Sequence, residues 1–347
     1  MTKLKPVLKV LRQAFVILLI TLVLTEIVFR CYNYFHPSFI FYDASYNRFR
    51  GKPNAPDYDF RLNSKGFKDV EFSPQKAAGT YRILGLGDSF AYGVVPYQNT
   101  YLTLLEERLN RGSGKTEIIN MGIPSTGPRD YVALLVNEGL DLKPDMVLVS
   151  FFNGNDFSVD RSRLLIYQRS YVASFLYYLF VASRGLKGQT IRGGPYLDNA
   201  PSLSDDVFLA MEIDRSYIFK KHDPVFANNL PEALRYLIEM KKICDERQIK
   251  LAVLLIPDQE QVDSQLQAKV VQRQNASFSD FDFTAPNRLL SAALKQQNIE
   301  VLDLYDAFSL AAASTTLYKP NDSHWNIAGN KLAAETIATD LFHVPPH

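Results

Sequence analysis

Four short polar blocks in the chain are built from residues that can move protons or stabilise charge. Gly87-Asp88-Ser89-Phe90-Ala91-Tyr92-Gly93 offers a hydroxyl, and Asn120-Met121-Gly122-Ile123-Pro124-Ser125-Thr126-Gly127 offers backbone N–H groups in a turn. Asn153-Gly154-Asn155-Asp156 offers side-chain amides, and Asp322-Ser323-His324-Trp325-Asn326, followed by Gly329, offers a base beside a carboxylate. Singly, each has an ordinary reading. A serine after a strand is normally a helix cap, Asn-Gly-Asn-Asp is normally a turn, and a histidine beside a tryptophan is normally packed. Together they describe acyl chemistry at a serine.

A serine hydroxyl is a weak nucleophile and must give its proton to a nearby base. Of the five histidines, His36 lies in a membrane-proximal linker, His222 in a charged Lys-His-Asp-Pro loop, and His343 and His347 in the terminal tail. His324 is left as the base. A base of this kind is held in one tautomer by a carboxylate, and Asp322, two residues earlier, can fold back on the ring. The oxyanion needs fixed donors. The candidates are the N–H of Ser89, a backbone N–H of the Gly122–Gly127 turn, and the side-chain amide of Asn155. Asp88 and Asp156 are expected to orient loops, with Gly122, Gly127, Gly154 and Trp325 shaping the surroundings. One usable histidine and no cysteine cluster cannot supply the usual zinc ligands, so no metal site is expected, and nothing calls for a cofactor.

These residues must be positioned by the elements around them. Tyr81–Gly87, Thr116–Ile123, Asp145–Phe152, Lys250–Pro257 and Glu300–Tyr305 are short apolar runs that read as buried strands. Helical spacing covers Thr100–Arg111, residues 128–141 behind a Gly127-Pro128 start, Asn229–Gln248, residues 285–297 and residues 326–341. Buried strands separated by helices imply an α/β fold, a three-layer α/β/α sandwich with a five-stranded parallel sheet. Ligands of such sheets bind beyond the carboxyl ends of the strands, which is where the first three blocks fall. In the stretch 157–228, an insertion or lid, YVASFLYYLFVAS (171–183) precedes a Gly-rich loop (185–195). Thirteen residues are too few to span a membrane, and the piece reads first as a helix packed on the domain, with a helix touching the membrane or capping a site as the alternatives.

The chain opens with Lys3, Lys5, Lys9 and Arg12, then runs apolar from Ala14 to Thr25 before Glu26 interrupts. Residues 13–33 have the length of a spanning helix, and the basic flank puts the N-terminus in the cytoplasm and the rest outside. A cleaved signal would need a small-x-small site, which TEIVFRCYNYF lacks. Cys31 has no lipoprotein-like small residues before it. The expected organisation is a cytoplasmic flank and transmembrane anchor over 1–35, a linker and irregular lead-in over 36–80, and a catalytic domain over 81–347. The charge follows this division. The formal total is +1, yet the first thirty residues hold five basic groups and one acid, leaving 33 basic against 36 acidic residues beyond them. A mildly acidic body does not suit a nucleic-acid binder.

In order and spacing, from about Tyr81 to Leu341, the four blocks resemble those of the SGNH hydrolases, the GDSL-type esterase/lipase superfamily. The resemblance implies Ser89 as nucleophile, Asn155 as the oxyanion amide, and His324 as base with Asp322 its partner. Where the family usually has its oxyanion glycine, this chain has Ser125, whose N–H serves equally in principle. Asn153 replaces the glycine that begins the family's Gly-x-Asn-Asp. The fourth block is Asp-x-His, not the commoner Asp-x-x-His, and Asn321 fills the three-before position. The Asp-x-His-Trp-Asn form is similar to that of membrane-anchored members and polysaccharide O-acetyltransferase relatives. Asn63-Ser64-Lys65-Gly66-Phe67-Lys68-Asp69 likewise resembles a lead-in motif of anchored members. The α/β-hydrolase scaffold fits less well, because its elbow requires Gly-x-Ser-x-Gly and Ala91 stands at the fifth position.

The expected activity is a serine esterase acting on an O-acyl ester, such as an acetyl ester, of an extracytoplasmic glycan or lipid. One alternative is a polysaccharide O-acetyltransferase using the same acyl-enzyme, for which the resemblance suggests a membrane-bound O-acyltransferase as partner. The other is an inactive binding subunit of a membrane acylation complex.

Overall fold

The computed structural model describes residues 4–35, 50–112, 114–158, 170–183 and 195–345. The first part of the expected linker (36–49), nearly all of the Gly-rich loop, His36 and His347 lie outside the described residues.

A long helix, α1 (Leu4–Phe35), is followed by a small antiparallel hairpin, β1 (Pro56–Asp57) and β2 (Phe60–Arg61). The main sheet contains β3 (Tyr81–Gly87), β4 (Thr116–Asn120), β5 (Met146–Phe152), β6 (Lys250–Ile256) and β7 (Glu300–Asp303). All five are parallel, in the order β4-β3-β5-β6-β7. The strand order reverses between β3 and β5, which opens a crevice at their carboxyl ends. The register sets Gly87 against Ser150 and Phe152 against Ile256.

Alternate residues of each strand enter two different cores, as a period of two requires. Leu84, Leu86, Val147, Val149, Val253 and Leu255 pack on one face with helices α4 (Pro128–Leu134), α7 (Pro224–Asp245) and α10 (Ala285–Gln296). Ile83, Leu148, Ala252, Leu254 and Ile256 pack on the other with α3 (Tyr101–Leu109), α11 (Tyr305–Ala312) and α12 (Ile327–Thr336). The three-layer α/β/α arrangement with a five-stranded parallel sheet is therefore the fold.

Several element ends differ from the sequence expectation. β4 stops at Asn120 rather than Ile123, because the Asn120 side chain turns back to accept the N–H of Gly122 at 2.9 Å. The helix after Pro128 loosens into a π turn at Leu135–Gly139 and a 3₁₀ turn at Leu140–Leu142, ending at the left-handed Lys143. α7 begins at Pro224, ahead of the expected Asn229, since Asp223 caps it by accepting the N–H groups of Val225 and Phe226. The Asp-Pro pair is a complete start signal, and Pro231 is absorbed within the helix.

The remaining helices are α2 (Ser89–Tyr92), α5 (Tyr171–Ser183), α6 (Asp205–Arg215), α8 (Gln259–Val262) and α9 (Ser264–Arg273). α5 packs on α1, with Phe29 and Phe175 ring centroids 5.1 Å apart and the Arg30 guanidinium over the Tyr171 ring. α1 itself is apolar over Leu8–Tyr32 and has none of that length buried.

Candidate active site

β3 delivers Asp88 and Ser89 at the mouth of the crevice. Asp88 is the helix cap, not Ser89: its carboxylate accepts the Phe90 N–H at 2.9 Å. Ser89 is thereby held in the first turn of α2, half-buried, where its N–H has no carbonyl four residues back. The second loop presses against this turn. A Cβ on Gly122 would lie 2.2 Å from the Tyr92 nitrogen, so the two loops approach closely only because residue 122 is glycine.

The acid–base loop is folded by its own sequence. Tyr318 and Trp325 pair across a short antiparallel bridge, and Lys319 donates its N–H to the His324 carbonyl at 3.0 Å. Asp322 Oδ1 accepts the backbone N–H of His324 at 3.0 Å, an Asx turn, and the same oxygen lies 2.5 Å from His324 Nδ1. This explains how a two-residue spacing suffices: the turn that fixes the backbone also brings the carboxylate under the ring. The other ring nitrogen, Nε2, lies 2.7 Å from Ser89 Oγ. With Nδ1–H donated to Asp322, Nε2 is free to accept the serine proton. Phe90 lies against the imidazole with centroids 5.3 Å apart, and Trp325 packs among Phe90, Tyr101 and Phe308 behind it.

Burial pushes the Asp322 carboxyl up, but the charge and hydrogen bonds of His324 and the hydroxyl of Ser202 outweigh it and hold the group well below the ordinary carboxylate range. Ser202 donates to Asp322 Oδ2, and Lys319 Nζ is 3.9 Å from the same oxygen. The segment around Ser202 is tied to the loop by N–H donation from Ser202 to Pro320 and from Leu203 to Asn321, each at 3.2 Å. This part of the 157–228 insertion is a buttress for the acid–base loop. Nothing in the sequence singled Ser202 out. Asn321, in the three-before position, turns away and donates to Leu203 O at 3.2 Å.

The third loop brings Asn155 beside the nucleophile's turn. Its side-chain nitrogen donates one N–H to Asp88 Oδ2 at 2.7 Å, which leaves the other for a ligand. Asp156 is buried, accepting from Tyr131 Oη at 3.0 Å and from the Phe152 N–H at 3.0 Å. Gly154 is packed closely, since a Cβ there would meet Asp258 Oδ2 at 2.2 Å and the Phe152 ring at 2.4 Å and would have to displace both side chains. Asn153, the departure from the family's glycine, donates to Gln261 Oε1 at 3.0 Å and Asn287 Oδ1 at 2.7 Å and so ties this loop to α8 and α10. In the second loop, Gly127 is the extended cap of α4, with Pro128 at its first position. Ser125 is exposed and left-handed, with φ 61°, the conformation that glycine usually supplies.

The lead-in motif also acts on the site loops. Lys68 Nζ donates to the Gly93 carbonyl at 2.8 Å, just past α2, and pairs with Asp57 at 2.5 Å while fully buried. Asp69 Oδ2 accepts the N–H of Asn120 at 2.8 Å, where β4 opens into the second loop.

Residues 217–346 match the family model described as SGNH hydrolase-like domain, acetyltransferase AlgX, a stretch that contains Asp322 and His324. That stretch of the chain is similar to an SGNH hydrolase-like domain; Ser89 and Asn155 lie ahead of it. Solved structures similar to the chain include an acetyl xylan esterase, at 14% identity and TM-score 0.43 over 75% of this chain and 99% of that one. A lipolytic protein of the G-D-S-L family from Veillonella parvula has 14% identity and TM-score 0.43, over 76% of this chain and 100% of that one. A lipase/acylhydrolase from Enterococcus faecalis also has 14% identity and TM-score 0.43, over 77% and 98% respectively. No curated protein matches the chain.

Proposed function

We propose that the protein is a serine esterase that removes an O-acyl group, such as acetyl, from a glycan or lipid outside the cytoplasm. One observation carries this reading: the contacts from Ser89 Oγ to His324 Nε2 at 2.7 Å and from His324 Nδ1 to Asp322 at 2.5 Å, at the crevice of the sheet. Ser89 Oγ attacks the ester carbonyl carbon while His324 Nε2 takes its proton. The tetrahedral oxyanion is held by the N–H groups of Ser89 and Ser125 and the free amide N–H of Asn155. As it collapses, the alcohol leaves with the proton from His324, and the acyl group stays on Ser89. Water then attacks the acyl-enzyme, gives its proton to His324, and the acid departs as Ser89 regains a proton. Asp322 stays ionised throughout and stabilises the imidazolium.

A second reading is favoured by the family match, whose description names an acetyltransferase. In it a sugar hydroxyl replaces water and the product is an acetylated glycan, with a membrane-bound O-acyltransferase as the acyl source. The basic residues Lys3, Lys5, Lys9 and Arg12, ahead of the apolar run of α1, support a cytoplasmic N-terminus and a catalytic domain on the opposite side.

Turnover of p-nitrophenyl acetate by the full chain, against longer acyl esters and with or without a glycan acceptor, tests the proposal. Acetate release independent of acceptor, lost in Ser89→Ala, supports hydrolysis. Release only with acceptor present, with acetyl recovered on the sugar, supports transfer. Full activity in Ser89→Ala overturns both.

A further inference from the structure

We propose that α5 is a second membrane element: it is seated in the lipid of the outer leaflet beside α1, so that the catalytic domain is held to the bilayer at two points. The inference rests on α1 being a membrane anchor.

The first observation is the partner of Glu26. A carboxylate inside an apolar span is costly unless paired. Glu26 accepts the Ser170 hydroxyl at 2.9 Å and the N–H groups of Tyr171 and Val172, each at 3.0 Å, and Arg30 lies 2.6 Å away. The N–H groups of Tyr171 and Val172 belong to the first turn of α5, which has no carbonyls of its own to satisfy them. The two unfavourable ends therefore cancel each other at one place along α1. That place is six residues before Tyr32, the end of the apolar length, or about 9 Å along the helix axis. α5 is thus continuous with the surface that α1 presents to lipid.

The second observation is the character of α5. Its sequence, YVASFLYYLFVAS, contains no charged residue. Leu176 and Leu179 are 57% and 46% exposed although α1 and α5 are in contact. At about 1.5 Å per residue the thirteen residues reach roughly 20 Å, short of the ~30 Å hydrocarbon core, so α5 is too short to cross. The apolar outer face of α5 and that of α1 then share one solvent, the acyl chains. For a substrate made or displayed at the membrane, two-point attachment limits rotation of the domain.

The test uses the full chain in phosphatidylcholine nanodiscs, in a Cys31→Ser, Cys244→Ala background, with a fluorophore on a single cysteine at position 176, 179, 20 or 310. Nitroxide-labelled acyl chains report lipid contact, and iodide reports water. Several-fold stronger lipid quenching at 176 and 179 than at 310, comparable with position 20, supports the proposal. Glu26→Ala should then reduce lipid quenching at 176 while leaving position 20 unchanged. Iodide quenching at 176 and 179 with lipid quenching kept at position 20 overturns the proposal and spares the anchor. Loss of lipid quenching at position 20 overturns the anchor reading, and the proposal with it. Undiminished lipid contact at 176 in Glu26→Ala overturns the role given to Glu26.

Discussion

The chemistry turns on one carboxylate oxygen that does two things. Asp322 Oδ1 accepts both the backbone and the ring N–H of His324, so backbone geometry and tautomer are set by a single acceptor. Asp322→Asn, which reverses that hydrogen bond, should lower kcat on p-nitrophenyl acetate by on the order of 10⁴-fold with the fold intact. Asn155→Ala should lower kcat about 10²–10³-fold, the usual effect of losing one oxyanion donor; a near-normal rate would remove Asn155 from the hole. Ser202→Ala frees the second oxygen of Asp322 and should lower kcat by up to about 10²-fold through misplacement, with KM little changed. Ser89, Asp322, His324 and Asn155 were legible because each combines a reactive type with a position at a strand end or in a compact block. Ser202 was not, because a lone serine in an insertion has neither periodicity nor motif, and its partner lies 120 residues away.

Among the elements, the strands were the most legible, since burial on both faces makes the three central ones, β3, β5 and β6, nearly continuous apolar runs. The short helix α8 was not, because the polar network that holds it, from Gln261 to Asn153 and Asn287, is long-range. α8 carries a buried carboxylate of this kind. Burial, then the charge of Asp258, pushes Glu260 up to about 9, opposed by Lys220. A raised folded value means that the stability contributed by the neutral form is complete below about pH 4.3, the group's ordinary value, and is lost as pH rises through about 9. Glu260→Gln keeps the neutral shape and should therefore melt with wild type near pH 4 and several degrees above it at pH 8–9, by calorimetry. Equal melting temperatures at both pH values would contradict it. The lead-in is the other element whose role was hidden. Lys68→Met leaves Asp57 buried without its cation and should cost about 3–5 kcal/mol in urea unfolding. Adding Asp57→Leu should recover much of that loss.

At the scale of the whole molecule, the near-neutral charge conceals a basic N-terminal stretch, a long apolar helix and a mildly acidic remainder. The sheet order places Ser89 and Asn155 on either side of the point where the strand order reverses, and the fourth loop is folded down onto it from the far end of the chain. The packing of α1 on α5 could not be read from sequence, because Glu26 and Tyr171 are separated by 145 residues and neither sits in a motif. The central claim is that Ser89 forms a covalent intermediate activated by His324 and Asp322. Labelling the full chain with a fluorophosphonate and mapping the adduct by mass spectrometry tests it directly. The account predicts modification at Ser89, absent in Ser89→Ala and slowed at least 10³-fold in His324→Ala. Folded wild-type protein that takes no label at Ser89, or labels equally fast without His324, would contradict it.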